Sequence, residues 1–398
     1  MQKQINVGDI FYKYGEGYIT RNHIKGQEKG IIRLLSACNT GLLGNHIHRC
    51  DTCNYFGISN NSCRNRHCPH CQQKDKLQWL DKRMQELLPV GYYHLVFTIP
   101  HQLNGLCFQN KKVMYTILFK AASQTILELC KDPKHLGANT GIISVLHTWG
   151  QNMKEHPHLH CIMPAGGLSF DKQDWISPTK SNDKFFIYYK VLSRKFRGKF
   201  LALLQQAYDD NQLEFKGQML PVSGKKRFAD FLSPLYNMEW VVNIQQPFGN
   251  PEKVLEYLSR YVFRIAITNR RILEVKDGKV LFSWKDYRTA GKYRRMRLDI
   301  DEFIRRFLLH VLPCGFFKVR YYGIFSNRYR KENLETSKRV LSQAYEDYLE
   351  ESIEDGKIPY IKQDPVWNEI LKLIQTFKKP NCPKCKKGYL KAHRFMPG

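Results

Sequence analysis

The sequence predicts an α+β fold, and three observations predict it. Strand-like runs such as Tyr92-Tyr-His-Leu-Val-Phe-Thr-Ile99 and Glu239-Trp-Val-Val-Asn-Ile244 are separated by long stretches with helical spacing of apolar residues. Val145-Leu-His-Thr-Trp149 and the run up to Met163 read as two strands joined by a Gly-Gln-Asn turn, a hairpin. Ahead of these stand two Cys-x2-Cys knuckles, Cys50/Cys53 and Cys68/Cys71, with fourteen residues between the pairs. That spacing belongs to a small module folded around a tetrahedral zinc.

Residues 1–45 form a helical lead-in, aromatic around Phe11-Tyr-Lys-Tyr14, with a helix through Ile31-Ile-Arg-Leu-Leu35 that Gly41 and Gly44 end. Residues 46–88 are the zinc-binding module. One ion held by Cys50, Cys53, Cys68 and Cys71 is the simplest arrangement. Cys63 and His67 lie inside the module as further candidate ligands, and Cys63 in place of one thiol, or a second ion, stays open. Arg64 and Arg66 line the second knuckle and point to contact with DNA. Residues 75–88 have helical spacing, stopped by Pro89 and Gly91.

Residues 89–330 make the main domain. Its first strand is Tyr92–Ile99, followed by a long helix over 111–130, the histidine hairpin, a basic helix over 191–208 and the strand from Glu239. Asn250-Pro251-Glu252 is a helix start: an amide cap, proline at the first helical position and an acid in the first turn. Residues 331–398 carry an acidic helical pattern and a basic tail. In that tail Cys382-Pro-Lys-Cys385 is half a knuckle, with a metal role and a bare remnant equally open.

At 398 residues, with 63 Lys plus Arg against 36 Asp plus Glu, the formal charge is +27, which points to a polyanion. No apolar run approaches the length of a membrane span, and the first residues have no hydrophobic signal core. The expected setting is a reducing cytoplasm, where twelve cysteines argue for metal over disulfides. From Arg264 to Arg330 there are 17 Lys or Arg against 6 Asp or Glu. They are interleaved with Tyr287, Tyr293, Phe316, Phe317, Tyr321 and Tyr322, the mixture expected of a groove for unpaired bases.

The chemistry centres on His158-Leu159-His160. Strand side chains alternate, so the two imidazoles share a face while Leu159 points into the packing behind them. The hairpin brings His147 beside them as the third ligand, with His156, His94 and Gln151 as alternates. Imidazole ligation with open positions suits a divalent ion, Mg²⁺ or Mn²⁺, that polarises phosphoryl oxygens. Tyr257 and Tyr261 lie four apart, on one face of the expected helix, with Arg260 and Arg264 beside them. A phenol with an ordinary pKa near 10 becomes a nucleophile only toward a strongly polarised phosphate.

The His-hydrophobic-His element, the Tyr-x3-Tyr helix and the cysteine run Ser62-Cys-Arg-Asn-Arg-His-Cys-Pro-His-Cys71 resemble the HUH-type two-tyrosine transposases of rolling-circle insertion sequences, the insertion-sequence ninety-one family. The resemblance continues through Tyr257-Leu-Ser-Arg-Tyr-Val-Phe-Arg-Ile-Ala-Ile267, Trp284-Lys-Asp-Tyr287 and His310-Val-Leu-Pro-Cys-Gly-Phe316, over roughly residues 30–330. It implies an antiparallel-sheet HUH endonuclease domain with flanking helices, His158 and His160 as metal ligands, and Tyr257 and Tyr261 as nucleophiles. It further implies nicking of single-stranded DNA at transposon ends through 5′-phosphotyrosine intermediates, with host replication machinery extending the freed 3′-OH. Arg64, Arg66, Arg260, Arg264, Arg270, Arg271, Lys285, Arg294 and Arg295 are the expected DNA contacts. A replication initiator or relaxase with the same chemistry, or a zinc-containing DNA-binding protein without cleavage, are the alternatives.

Overall fold

The computed structural model describes residues 5–72, 79, 82–83, 86–178, 185–248, 262, 265–286, 289, 291–354 and 380–396. At its centre is a five-stranded sheet. It orders β12 (Val319–Gly323), β4 (Gly141–Trp149), β5 (Glu155–Pro164), β3 (Tyr92–Thr98) and β8 (Val242–Phe248). Every neighbouring pair is antiparallel. The α+β class is as the sequence predicted, and the antiparallel sheet is as the resemblance implied.

One face of this sheet is packed against helices. Leu95, Phe97, Leu146, Leu159, Cys161 and Met163 alternate inward and share a core with α4 (Lys111–Lys131) and α5 (Tyr189–Asp209). Phe119, Phe196 and Phe200 fill the layer, and the short α3 (Asn104–Gln109) and α6 (Lys225–Asn237) close its rim. The side chains between them, His94, Val96, His147, His158 and His160, therefore belong to the opposite face. The strand expected from Glu239 begins at Val242, because Trp240 is buried in the helical layer with its indole N–H on the Leu235 carbonyl.

Small elements accompany the main sheet. β6 (Gly167–Leu168) pairs with β7 (Trp175–Ile176). β12 stops at Gly323, whose φ is +61° and where an added Cβ would meet the Thr140 carbonyl oxygen at 1.9 Å, so only glycine fits. α8 (Arg330–Glu354) follows, over the acidic pattern read from the sequence.

A second core lies beside the first. α1 (Val7–Arg21) is capped by Asn6 and Asp9 in a reciprocal box and packs with α2 (Gly26–Ala37). Both pack on a three-stranded sheet of β9 (Ile272–Lys276), β10 (Lys279–Asp286) and β11 (Lys292–Asp299), together with α7 (Ile300–Leu309). Arg21 pairs with Asp301 at 2.6 Å and the Val7 N–H donates to Asn269, so the lead-in is tied to the main domain. A further three-stranded sheet joins β1 (Asn45–Cys50) and β2 (Phe56–Asn60) to β13 (Leu390–Met396), far along the chain.

Candidate metal centre

The β4–β5 hairpin sets His147 directly across from His158. His160 sits two residues further along the same face, opposite Val145 on one side and Val96 on the other. One ring nitrogen from each of His147, His158 and His160 lies within 4.8 Å of the others. His147 and His160 are buried and His158 is half-buried. Leu159 is fully buried on the helical side, as alternation requires. Among the alternates, His156 is exposed and the Gln151 carbonyl accepts from Arg271.

His94 has a different place from the one weighed for it. It is wholly buried, with Nε2 2.9 Å from Nδ1 of His160 and the two rings nearly parallel. His158 Nδ1 lies 2.6 Å from its own strand's His156 carbonyl, so Nδ1–H is the donor and Nε2 carries the lone pair. With Nδ1 of His160 taken by His94, Nε2 is again the nitrogen that serves the cluster. Trp149 stacks on His147 at 4.7 Å between ring centroids. Below it, His310 accepts from the Thr148 hydroxyl at Nδ1 and donates from Nε2 to the Met153 carbonyl, pinning both sides of the turn. Burial holds the His310 imidazole down to about 4.

The cysteines regroup relative to the sequence reading. Cys50, Cys53, Cys68 and Cys71 do not share one site. Cys68 and Cys71 converge with Cys63 and with Cys38, which had no motif to mark it, whereas Cys50 and Cys53 converge with Cys382 and Cys385. In the first group the Sγ atoms of Cys38 and Cys71 are 3.8 Å apart, Cys63 and Cys71 3.6 Å, and Cys38 and Cys68 3.6 Å. A tetrahedron with metal–sulfur bonds of about 2.3 Å has edges of about 3.8 Å, whereas a disulfide needs about 2.05 Å. His67 is not among the ligands. It is buried beside Arg66 and His310, and desolvation lowers its pKa to about 3.

Several predicted DNA contacts are also corrected. The Arg66 guanidinium donates to the carbonyls of Leu312, Pro313 and Phe316. That of Arg271 donates to the carbonyls of Ser283, Ala266 and Gln151. Both hold loops together and are half-buried. Phe316 is core, edge-on to Tyr115, whereas Tyr293 and Phe317 are exposed. Arg64, Arg270 and Arg295 are exposed, Lys285 is half-buried, and Arg294 is exposed beside the buried Asp286 carboxylate at 3.3 Å. Tyr257, Tyr261, Arg260 and Arg264 lie outside the described residues.

No helix among the described residues is long and apolar enough to cross a membrane. A family model described as "Putative transposase" matches residues 141–333, and one described as "Transposase zinc-binding domain" matches residues 10–99. The first cysteine group falls wholly inside that zinc-binding domain. The chain is 44% identical over 339 residues to "Putative transposase y4qJ" of Sinorhizobium fredii (strain NBRC 101917 / NGR234), covering 85% of this chain and 84% of that protein. It is 27% identical over 296 residues to "Transposase for insertion sequence element IS801" of Pseudomonas savastanoi pv. phaseolicola, covering 73% and 68%. No solved structure matches. The two matched models, the long alignment to a transposase and the cysteine group inside the zinc-binding match agree: the chain belongs to the IS91-type transposase family.

Proposed function

We propose that this transposase nicks single-stranded DNA at transposon ends by attack of a tyrosine hydroxyl, with Mg²⁺ or Mn²⁺ held by His147, His158 and His160. The observation that carries the reading is the histidine cluster itself. Three imidazoles from paired strands converge, and the outer nitrogens of two of them are engaged by His94 and the His156 carbonyl. Metal-binding histidines are normally oriented in this way by a partner on the second nitrogen. The donor set is imidazole only and suits a divalent ion with open positions. A bound cation polarises a phosphodiester and lowers the barrier to its substitution.

The nucleophiles are Tyr257 and Tyr261. One phenol oxygen forms a bond to phosphorus, its proton passes to solvent or a nearby base, and the bond to the 3′ oxygen breaks. The products are a 5′-phosphotyrosine and a free 3′-OH, which host replication extends. The second tyrosine repeats the attack for strand transfer. Chain connectivity supports the assignment. Val262, next to Tyr261, is buried, and Ile265 lines a small cavity with Trp149, the residue stacked on His147. The exposed Tyr293, Phe317, Arg270, Arg294 and Arg295 offer stacking rings and charge to unpaired bases.

The test is incubation of the protein with single-stranded oligonucleotides carrying a transposon end, in Mn²⁺, followed by denaturing electrophoresis. A covalent adduct that disappears in Tyr257→Phe/Tyr261→Phe, with DNA binding intact, supports the mechanism. Cleavage retained by that double variant rejects it.

A further inference from the structure

The second cysteine group is not assigned by the zinc-binding match, which ends at residue 99 while two of the four thiols lie at Cys382 and Cys385. We propose that Cys50, Cys53, Cys382 and Cys385 bind a second, structural Zn²⁺, and that this ion closes a zinc ribbon assembled from the two ends of the chain.

The geometry is that of a closed four-thiolate site. Sγ of Cys50 is 3.8 Å from Sγ of Cys385, and Sγ of Cys53 is 3.7 Å from Sγ of Cys382. These are the edges of a tetrahedron around an ion with bonds of about 2.3 Å and are too long for disulfides. Cys50 and Cys382 are each 1% exposed, so the group is not an accidental meeting of surface thiols. Four thiolates leave no open position, which makes the site structural and selects a soft, tetrahedral ion.

The two halves are built alike. Each is a Cys-x2-Cys knuckle followed at once by a residue in the left-handed region, Asn54 with φ 57° and Lys386 with φ 56°. Backbone amides turn onto the sulfurs: Thr52 and Cys53 N–H lie 3.4 and 3.5 Å from Cys50 Sγ, and Gly388 N–H lies 3.3 Å from Cys385 Sγ. Such N–H···S contacts are the outer support a thiolate site requires. The knuckles also fit closely. A Cβ on Gly388 would lie 2.7 Å from Cys50 Sγ and 2.4 Å from Thr52 Oγ1, so a side chain there would push the second knuckle off the first.

Beyond the ligands, the sheet is continuous across the join. β13 pairs with β1 from Asn45↔Met396 to Cys50↔Leu390, the Asp51 N–H donates to the Tyr389 carbonyl, and the Tyr389 N–H donates to the Asp51 carboxylate. The ribbon thus exists only when both chain ends have been made and brought together, and the ion fastens the tail to the N-terminal module. This inference does not depend on the tyrosine mechanism.

Metal analysis of the purified full-length protein is expected to give two zinc ions per chain, falling to one in Cys382→Ser/Cys385→Ser. Hydrogen exchange of the same variant should show lost protection at residues 390–396 and unchanged protection at 141–164. Should the variant not fold, the wild-type protein reloaded with Co²⁺ gives a second readout. Thiolate-to-cobalt absorbance should rise through two equivalents. One zinc in the wild type, two in the variant, saturation at one cobalt, iron in place of zinc, or a mass showing disulfides at these cysteines would each overturn the proposal.

Discussion

Replacing His94 with phenylalanine tests whether a buried histidine that touches no substrate sets the affinity of the proposed divalent site. A flat ring is kept at this fully buried position, in a somewhat larger side chain, so the melting curve must be checked. What disappears is the acceptor 2.9 Å from His160 Nδ1. With Nε2 of His160 facing the other imidazoles, Nδ1 carries the proton, and without His94 that N–H is a buried donor with one partner fewer. The ring is then free to adopt the other tautomer or rotate. Loss of such an outer partner typically weakens metal binding by about 10–100-fold, or about 1.4–2.7 kcal/mol. The assay is titration with Mn²⁺, following the free-ion resonance, on protein with verified zinc content and a normal melting curve. His158→Ala, which removes a ligand outright, sets the scale for complete loss. Mn²⁺ affinity within twofold of the parent in folded His94→Phe would refute the orienting role. A loss equal to that of His158→Ala would make His94 a ligand instead.

Further outcomes follow from the corrected residues. Arg66→Lys cannot reproduce a planar fork across three carbonyls, so it should lower stability by about 1–3 kcal/mol and leave the salt dependence of DNA binding unchanged. A changed salt slope with unaltered melting would restore the DNA-contact reading. Arg270→Ala with Arg295→Ala should do the opposite, reducing the slope of log affinity against log salt by about 1.4 for single strands with little effect on folding; an unchanged slope places the DNA elsewhere. For His310 the folded imidazole is held to about 4 by burial, below the unfolded value near 6.5. The unfolded state therefore binds the extra proton between these values, and stability falls as pH drops from about 6.5 to about 4, by about 3 kcal/mol. His310→Gln keeps a donor and an acceptor without titrating. Its urea-unfolding free energy should lose that part of the acid dependence, and an identical pH profile would show that other groups carry it.

Local periodicity made the histidine face legible. Alternation put Leu159 in the core and His158 and His160 together, and a short turn after Trp149 was enough to bring His147 across the hairpin. The cysteine partnerships were not legible for an equally physical reason. Ligand identity there is decided by which strands pair, and β1 pairs with a strand more than three hundred residues later. Cys38 belongs to no knuckle, so spacing gave it no signal, although an isolated half-knuckle at Cys382 was itself a sign of a missing partner. Charge misled in a similar way. Arg66 and Arg271 sit in basic stretches, but composition does not say whether a guanidinium faces solvent or a row of carbonyls. His94 stood among the alternate third ligands, and its place behind His160 was not legible because that partner is one strand over.

The corrected contacts change what the cysteine module is for. Arg66 lies between two thiols of the first group, Cys63 and Cys68, and its guanidinium grips the carbonyls at 312, 313 and 316. That segment begins at His310, which bonds to Thr148 and Met153 on either side of the β4–β5 turn. Cys68, Cys71, Met153 and Trp149 share one apolar cluster, and Trp149 stacks on His147. A continuous set of contacts thus runs from the first zinc site to the proposed divalent site, and the module supports the hairpin. Loosening the knuckle with Cys68→Ser should weaken Mn²⁺ binding at the histidines, because the turn that fixes His147 loses its brace. If Cys68→Ser, with its zinc content reduced and the protein still folded, binds Mn²⁺ as the parent does, the module is mechanically separate and its role is confined to folding or DNA contact.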